Sequence, residues 1–315
     1  MIRPGDEEMM ARVAHFYYEE MMTQEAIAHR LHLTRWKVGR LLKDARSSGV
    51  VTISIKHGFL RLAELESALC SRFALDDAVV VVSPEATEAD ALASVGMAAA
   101  KYLTGLNPQP GLIGTSWGRT MTAVAHAIPE DWTTGVHVVQ LNGALTLGSA
   151  EGALHDPAQR IAVAGNGRYT LLPVPAIVDQ ESVRAGLEKD STIKQILTIG
   201  RNAPVAIFGL GSLSERSVLV ESGYLTKQEV TQLKKSDAVG DVLGRFISAD
   251  GGIVDPSLNN RTLGITLDEL REKPVRIAVA QGSHKTSIAR GALTAGLVST
   301  LVIDEQLARG LVDAT

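Results

Sequence analysis

The chain is poor in cysteine. Cys70 is the single cysteine among 315 residues, which excludes an internal disulfide and a zinc site built from several cysteines. This usage fits a reducing compartment, and we expect the Cys70 thiol to be an inert packing group.

Long hydrophobic runs are also missing. The most apolar stretches, Ala78–Val82 and Val205–Leu210, are far shorter than the roughly 20 residues that a membrane-spanning helix needs. The first residues, Met1–Glu8, are acidic and polar and do not resemble a signal peptide. We therefore expect a cytoplasmic protein without a membrane partner.

The histidines show no metal-binding or catalytic spacing. His126, His137, His155 and His284 are scattered along the chain, and neither a His-x-x-x-His pair nor a cysteine partner accompanies them. We expect no metal, no cofactor and no catalytic residues.

Length and charge distribution predict two domains of different character. A chain of 315 residues with 45% hydrophobic and 21% charged side chains is too long for most single compact domains. We predict a DNA-binding domain over residues 1–57 and an effector domain over residues 58–315, with residues 58–74 as a linker helix. Although the net charge is −4, one segment is basic and has Asp44 as its only carboxylate. Its cations, which are typical of a nucleic-acid footprint, are Arg30, Arg35, Lys37, Arg40, Lys43 and Arg46.

Three helices are predicted at the N-terminus, in the order of a helix-turn-helix. They cover Glu8–Met21, Gln24–Leu31 and Arg35–Ser47, and Thr23 and Thr34 are placed to cap the second and third. Three- and four-residue spacing predicts a shared core. Its members are Val13, Phe16, Tyr17, Met21, Ile27, Ala28, Leu31, Val38, Leu41 and Leu42.

The third helix then presents its cations to solvent, as a helix that enters the major groove must. The alternative is a solvated basic helix packed against a neighbour. Gly49 is expected to stop this helix, and the alternation in Val50–Ile55 predicts a wing strand. The candidate DNA-binding residues are Thr23, Gln24, Thr34, Arg35, Trp36, Lys37, Arg40 and Lys43.

Two residues of this region are unusual. His32 occupies a turn that usually carries glycine, because the backbone there tends toward positive φ. Trp36 is an aromatic residue on a face expected to be exposed. It could stack on DNA sugar and phosphate or tuck against the wing, and the sequence favours neither.

The remainder of the chain has the pattern of an α/β domain. After a helix over Phe59–Phe73, short apolar runs alternate with helical segments, which predicts a Rossmann-like, doubly wound parallel sheet with its ligand beyond the carboxyl ends of the strands. The predicted strands are Ala78–Val82, Gly111–Gly114, Val136–Leu141, Tyr169–Leu172, Val205–Phe208, Arg276–Ala280 and Thr300–Ile303.

Several strand ends carry polar groups suited to an anion. Gly114–Thr120 follows a strand and opens a helix, so backbone N–H groups and hydroxyls converge there. Gln281–Lys285 repeats the arrangement and adds a cation. An ordinary strand-to-helix turn is the alternative for the first segment, and a plain helix cap is the alternative for Asp304, which could otherwise accept sugar hydroxyls.

A set of motifs spread over nearly the whole chain resembles the SorC family of sugar-binding transcriptional regulators. The motifs are Tyr17-Tyr18, Thr23–Ala28, Leu41–Arg46, Gly114–Gly118, Leu172–Pro175, Val239–Phe246, Lys285–Leu293 and Ile303–Glu305. The resemblance implies a sensor domain akin to sugar-phosphate isomerases and deaminases, a phosphorylated-sugar ligand, and a tetramer, a dimer of dimers, that binds operator DNA.

The same resemblance implies roles for particular residues. The Thr115-Ser116 turn and Lys285 correspond to phosphate contacts, and Asp241, Asp250 and Asp304 to the sugar side. Gln281, Ala144 and Ile303 depart from the family pattern, so the resemblance does not identify the effector. The candidate effector-binding residues are Gly114, Thr115, Ser116, Gly118, Arg119, Asn142, Gly143, Asp241, Asp250, Lys285 and Asp304.

Three functions follow from these patterns. The first is a DNA-binding regulator of a carbohydrate-utilisation operon, whose partners are double-stranded operator DNA and a small sugar, sugar phosphate or polyol. The second is a sugar-phosphate isomerase or deaminase that carries a DNA-binding arm; it lacks a recognisable pairing of histidine with carboxylate, and fold kinship alone does not carry chemistry. The third, a DNA-architectural protein, leaves the large second domain without a role.

Overall fold

The chain divides into two compact units. The computed structural model describes residues 4–51, 61–82, 87–144, 156–215 and 217–313. One unit is Met1–Gly58 and the other is Phe59–Thr315, a division next to the boundary expected from the sequence. No helix within the described residues is long and apolar enough to cross a bilayer.

The first unit contains three short helices around a small apolar core. They are α1 (Pro4–Tyr18), α2 (Gln24–Leu31) and α3 (Arg35–Ser47). The core residues are Met10, Val13, Ala14, Phe16, Ile27, Ala28, Val38, Leu41, Leu42 and Ala45. The three helices fit a helix-turn-helix.

Threonine side chains cap the N-termini of α2 and α3. The Thr23 hydroxyl accepts a hydrogen bond from the Ala26 N–H at 3.2 Å, and the Thr34 hydroxyl accepts one from the Lys37 N–H at 3.2 Å. Both are N-caps that satisfy otherwise unpaired amides. His32 has φ 54°, so the positive φ anticipated from the turn is present without glycine.

One expectation for this unit needs correction, and another concerns residues that the structure does not describe. Met21 was expected in the core, but α1 ends at Tyr18, the backbone at Met21 has φ 54° and its side chain is 80% exposed. The helical spacing therefore stops before it reaches Met21. Most of the predicted wing strand, from residue 52 onward, lies outside the described residues.

The second unit alternates strands and helices. Its strands are β1 Asp77–Val81, β2 Leu112–Thr115, β3 His137–Gln140, β4 Arg168–Thr170, β5 Val205–Ser212, β6 Gly240–Val242, β7 Arg245–Ile247, β8 Val275–Ala280 and β9 Thr300–Asp304. Its helices are α4 Ala63–Phe73, α5 Glu88–Thr104, α6 Arg119–Ala127, α7 Pro157–Ala164, α8 Glu181–Lys189, α9 Ser191–Asn202, α10 Val218–Glu221, α11 Lys227–Lys235, α12 Pro256–Asn259, α13 Leu267–Arg271, α14 Thr286–Thr294 and α15 Glu305–Asp313, with a 3-10 turn at Ser283–Lys285 before α14.

The main sheet is parallel and doubly wound. Its strand order is β1-β9-β8-β5-β2-β3-β4, and every pairing along this path is parallel. From β2 the chain proceeds outward to β3 and β4, and it returns to place β5 on the other side of β2. The winding direction thus reverses between β2 and β5, which is where open α/β sheets bind ligands.

Each face of the sheet has its own apolar core. Alternate residues of β1 point to opposite sides: Val80 packs in a cluster with α4, α14 and α15, whereas Val79 and Val81 pack in a cluster with α5, α6 and α7. A sheet covered on both faces requires apolar residues at consecutive positions. This explains why the strands read as unbroken apolar runs, and the predicted Rossmann-like fold is confirmed.

Helix α4 and one hairpin differ from the sequence prediction. Helix α4 begins at Ala63 rather than at Phe59; Arg61 instead forms an antiparallel bridge with Val81. The β6–β7 hairpin, which pairs with the end of β5, was not predicted. Its strands are three residues each, too short to show a period, and its turn at Leu243-Gly244 has positive φ at both residues.

A buried arginine fastens the hairpin to the loop before α13. Arg245 is 1% exposed, and burial lowers its pKa to about 10. Its guanidinium donates to the carbonyl oxygens of Ile265, Thr262 and Gly264 at 3.0–3.4 Å, and to the carbonyl and the side-chain oxygen of Asn259 at 3.2 and 2.6 Å. One side chain therefore satisfies several otherwise buried acceptors.

Replacing Arg245 by methionine should lower the free energy of unfolding of the second unit by about 3 kcal/mol or more, because the carbonyl acceptors lose their donor. Urea unfolding followed by circular dichroism measures the loss. As a control, Arg309→Met removes a 59% exposed side chain that pairs with Glu305, and we expect it to cost less than about 1 kcal/mol. Equal losses for the two variants would contradict the role given to Arg245.

Candidate functional site

A cavity of about 460 Å³ opens at the carboxyl edge of the sheet. It lies over the ends of β2, β3, β5 and β8, at the point where the winding direction reverses. Its lining mixes cations, carboxylates, hydroxyls and glycines with apolar side chains. The lining residues are Glu88, Ala89, Leu92, Ser116, Trp117, Gly118, Arg119, Thr120, Asn142, Gly209, Leu210, Gly211, Ser212, Ser217, Val218, Leu219, Asp241, Leu243, Gly244, Gln281, His284 and Lys285.

The turn between β2 and α6 forms one wall of the cavity. Gly118 occupies the N-cap position of α6 with φ 110°, and no side chain caps this helix. With no side-chain cap, the start of α6 favours an anion, because the helix dipole places positive charge there. Ser116 is buried, and its hydroxyl accepts a hydrogen bond from the Gly209 N–H at 3.2 Å, which joins this wall to β5.

The turn after β8 forms the opposite wall and supplies an ammonium group. Lys285 Nζ donates to the carbonyl oxygen of Leu210 at 2.6 Å. The turn is anchored from below by Asp304, whose carboxylate accepts from the Gly282 N–H at 3.1 Å and from the Leu307 N–H at 3.2 Å. Asp304 thus positions the turn that carries Lys285.

Asp241 brings a carboxylate into the same cavity. It pairs with Gly211 across β5 and β6, and a Cβ on Gly211 would lie 1.8 Å from Asp241 Oδ1, so only glycine leaves room for the carboxylate. Burial raises the pKa of Asp241 to about 6, although the Gly244 N–H donates to it and Lys285 attracts its ionised form. Burial likewise lowers the pKa of Lys285, opposed by the Asp241 charge.

Two polar atoms of lining residues are buried without a hydrogen-bond partner. They are Asn142 Oδ1 and Trp117 Nε1. Such atoms are uncommon in folded proteins because an unpaired buried donor or acceptor costs free energy. Asn142 is 5% exposed and lies at the end of β3. The cavity therefore offers an amide as well as charges to a polar molecule.

A further cation stands at the mouth of the cavity. Arg119 begins α6, and its Nη1 lies 3.9 Å from the Glu221 carboxylate at the end of α10. Together the cavity holds Arg119 and Lys285 against Asp241 and Glu88. Within the described ranges no group of three or more histidine, cysteine, aspartate or glutamate side chains could hold a metal ion. The arrangement suits the binding of a small anion that also carries hydroxyl groups.

A second candidate surface lies on α3 of the first unit. Arg35, Trp36, Lys37, Arg40 and Lys43 are all exposed. Arg40 Nε lies 3.7 Å from Asp44 Oδ2, and Trp36 is 90% exposed. The indole is therefore not tucked against a neighbour, and the cations are not packed against another element.

Known proteins resemble this chain along nearly its whole length. The family model described as "Putative sugar-binding domain" matches residues 57–313. The Deoxyribonucleoside regulator of Bacillus subtilis (strain 168) is 34% identical, over 98% of each chain. Transcriptional regulator LsrR of Klebsiella pneumoniae subsp. pneumoniae is 31% identical, over 98% of this chain and 93% of the relative. The crystal structure of the full-length Sorbitol Operon Regulator SorC from Klebsiella pneumoniae aligns with a TM-score of 0.71 at 28% identity, covering 98% of this chain and 99% of that one.

The chain belongs to the SorC family of sugar-binding transcriptional regulators. Its relatives are named as regulators, so the prediction of a transcriptional regulator rather than an enzyme is confirmed. The SorC structure spans both units of this chain, in agreement with the predicted fold class.

The cavity at the carboxyl edge of the sheet is lined by about half of the residues predicted to bind an effector. Those that line it are Ser116, Gly118, Arg119, Asn142, Asp241 and Lys285. The others, Gly114, Thr115, Gly143, Asp250 and Asp304, are not among its lining residues. The geometry therefore does not support a direct effector contact for these five.

Each of the five has another role in the structure. A Cβ on Gly114 would meet the Leu141 side chain, and one on Gly143 would meet the carbonyl oxygens of residues 174 and 175, so both glycines permit close packing. Thr115 is fully buried, and its hydroxyl donates to the carbonyl oxygen of Ser116. Asp250 lies in an exposed turn where the Ser248 hydroxyl donates to it and lowers its pKa. The Asp304 carboxylate accepts from the Leu307 N–H in the first turn of α15 and from the Gly282 N–H, as a helix cap and a support for the Gly282 turn would.

The cavity lining also includes residues outside the predicted effector-binding set, among them the polar strand end Gly209–Ser212 that the sequence had indicated. Gly209–Ser212 reach the cavity because β5 runs four residues beyond its predicted end. Ser217, Val218 and Leu219 come from the start of α10, and Glu88 from the start of α5. The Gly209-Leu210-Gly211-Ser212 pattern at a strand end was the available signal, but nothing local to α10 or α5 indicates a contact so distant in sequence.

The buried Asp241 carboxylate should make stability depend on pH. Its folded pKa of about 6 lies above the ordinary value of 3.8, so the folded protein binds more protons between these values, and stability contributed at low pH is lost as pH rises through about 6. Asp241→Asn lacks this titration. Relative to wild type, its free energy of unfolding should therefore increase by up to about 3 kcal/mol between about pH 4 and pH 7.

Urea unfolding of both proteins at the two pH values measures this difference. Asp268→Asn is the matched control, because the Asp268 side chain is 86% exposed. A pH-independent difference between Asp241→Asn and wild type would show that Asp241 is not held in a desolvated state.

Proposed function

We propose that this protein regulates a carbohydrate-utilisation operon, with its affinity for operator DNA set by a small sugar, sugar phosphate or polyol bound in the sheet-edge cavity. The observation that carries the proposal is the meeting of Lys285, Asp241 and the uncapped N-terminus of α6 in one cavity. A neutral apolar molecule would leave these groups without partners, whereas a polyhydroxylated anion can form ion pairs and hydrogen bonds with them.

The anionic end of such an effector belongs at the β2–α6 turn. Backbone N–H groups at the start of α6 and the dipole of the helix favour negative charge there. Arg119 and Lys285 add cations on either side of the turn. Since burial lowers the pKa of Lys285, an anion beside its ammonium group would strengthen the charged form and would itself be bound more tightly.

The hydroxylated end belongs beside Asp241 and Asn142. A carboxylate with a pKa of about 6 is mostly ionised at neutral pH, and in that form it only accepts hydrogen bonds. The Asn142 amide can both donate and accept. Sugar hydroxyls also do both, so they complement this wall better than carbonyl or apolar groups do.

The DNA partner belongs on α3. An exposed helix that carries Arg35, Lys37, Arg40 and Lys43 can place guanidinium groups against guanine edges and its other cations against phosphate. Thr23 and Thr34 stand at the N-termini of α2 and α3, next to Gln24, where helices of this class contact the DNA backbone. Six of the predicted DNA-binding residues line one groove of the first unit, which supports this assignment: Gln24, Arg35, Trp36, Lys37, Arg40 and Lys43.

The proposal includes a cytoplasmic homo-oligomer, a tetramer built as a dimer of dimers. Two DNA-binding units related by a two-fold axis would contact two half-sites of the operator. The half-sites would lie one DNA turn apart, roughly 34 Å, or a multiple of it. The operator is therefore expected to be palindromic. The resemblance to the SorC family suggests this state, and no contact among the described residues determines it.

Effector binding must reach the DNA-binding unit through a change that the effector itself favours. Helix α4 is suited to this because it follows the first unit in the chain and is tied to the sheet. The Glu66 carboxylate accepts from the Val80 N–H at 2.8 Å and from Arg61 Nε at 2.8 Å. A shift of β1 would therefore pull α4 with it.

A gel-shift titration tests the proposal. The DNA is the region upstream of the gene for this chain, and the panel contains free sugars, polyols and their phosphates. We expect retardation of the DNA, and at least one compound should change the apparent Kd by about fivefold or more. Lys285→Met should bind the DNA as wild type does but should not respond to that compound.

Lys227→Met is the matched control, because Lys227 is 72% exposed and is not among the residues that line the cavity; its response should equal that of wild type. Thermal unfolding of each variant establishes that it is folded. Specific DNA binding that no compound in the panel alters would contradict the proposal, and an unchanged response in Lys285→Met would remove the ammonium group from the effector site.

A further inference from the structure

The indole of Trp36 is not part of the apolar core of the first unit. It is 90% exposed and belongs to the first turn of α3, whose N-cap is Thr34. The apolar core of the unit, including the partly buried residues around it, does not contain Trp36. Its neighbours along the helix are the cations Arg35, Lys37 and Arg40. A large apolar surface thus stands in the middle of a positively charged face.

Gly39 lies beside this indole on the same face of the helix. Residues three apart on a helix are neighbours, so Trp36 and Gly39 are adjacent, with Arg40 next to both. Glycine in a helix interior is less stable than alanine, and Gly39 is inside the 13-residue helix α3. A position that accepts this loss usually has a packing or functional reason.

Packing within the unit does not supply that reason. The nearest atom to a Cβ built on Gly39 is Gln24 Oε1, at 3.4 Å. This is an ordinary contact with the far end of a flexible side chain, so alanine would fit. The φ of Gly39 is not positive either. Gly39 and Trp36 line one groove, together with Arg35, Arg40 and Lys43, and Gln24 Oε1 is the one described atom within 4 Å of the position that a Cβ at residue 39 would take.

We propose that Trp36 and Gly39 form a notch that receives the C5 methyl group of a thymine in the major groove of the operator. This inference rests on the proposed binding of DNA by α3. The methyl group of thymine is the apolar feature of the major groove, and side chains that read it do so through apolar contact. The indole supplies a flat apolar wall, and the missing Cβ at position 39 lets the base edge approach the helix.

The charge of the face determines which partner occupies the notch. Around it stand Arg35, Lys37, Arg40 and Lys43, and the one carboxylate of the groove, Asp44, lies 3.7 Å from Arg40. A polyanion is complementary to such a surface, whereas an apolar protein partner would leave these cations unpaired and desolvated. Duplex DNA presents both phosphates and the apolar methyl group of thymine along one major groove. It therefore complements the cations and the apolar indole of this face.

A thermodynamic cycle between protein and DNA tests the notch. The probe is the duplex from the upstream region of the gene, in which each thymine of the protected site is replaced in turn by uracil, which lacks only the methyl group. For the wild-type protein we expect at least one replacement to weaken binding by about fourfold, the value of one buried methyl group. Trp36→Ala should weaken binding to the thymine duplex by about tenfold and should no longer distinguish thymine from uracil at that position.

Gly39→Ala supplies the second arm of the experiment. It should raise the melting temperature by a few degrees, because alanine favours the helix, and it should weaken operator binding and reduce discrimination at the same thymine. Gly186→Ala is the matched control: Gly186 is inside α8, and nothing lies within 4 Å of a Cβ built there. That variant should gain stability without any change in DNA binding. Lys43→Ala should weaken binding to thymine and uracil duplexes equally.

Each outcome has a defined meaning. If no duplex is bound, both the proposed function and the notch are wrong. If the operator is bound but the effects of Trp36→Ala and of thymine replacement are additive, or if no uracil replacement matters, the notch is wrong and the proposed function stands. If Gly39→Ala binds the operator as tightly as wild type, the base edge does not approach the helix at this position.

Discussion

The second unit depends on a close approach between β5 and β6 at the carboxyl edge of the sheet. Because Gly211 has no side chain, the Asp241 carboxylate can lie against the end of β5, and Lys285 is drawn to the neighbouring Leu210 carbonyl. A larger residue at position 211 would expel the carboxylate and separate the two charges. The place of the Asp241 carboxylate in the cavity follows from this contact, and burial there perturbs the pKa values of both groups.

The candidate surfaces of the two units differ in the arrangement of their charges. The chain as a whole is acidic, yet α3 carries five cations against one carboxylate, and these cations face solvent. The cavity instead holds two cations and two carboxylates in a partly desolvated space, where each charge is felt more strongly than at the surface. A long, highly charged polymer suits the first surface, and a small molecule with one anionic group and several hydroxyls suits the second.

The sequence was most informative where structure depends on local pattern. The α2 and α3 boundaries, the Thr23 and Thr34 caps and the seven strands of the parallel sheet follow from spacing and composition, which act over a few residues. It was least informative where distant segments meet: the β6–β7 hairpin, the extension of β5 and the entry of α10 into the cavity depend on tertiary contacts. Asp304 illustrates the difference, because a carboxylate after a strand looks the same in sequence whether it caps a helix or meets a ligand.

The central claim is that one protein couples the sheet-edge cavity to operator binding. Thermodynamic linkage requires the coupling to be reciprocal. The most direct measurement is therefore the affinity of the active sugar or sugar phosphate, by isothermal titration calorimetry, for the full-length protein alone and saturated with operator duplex. The account predicts that the two affinities differ by the same factor by which that compound changes operator affinity. Equal affinities, with the compound bound in both states, would contradict it.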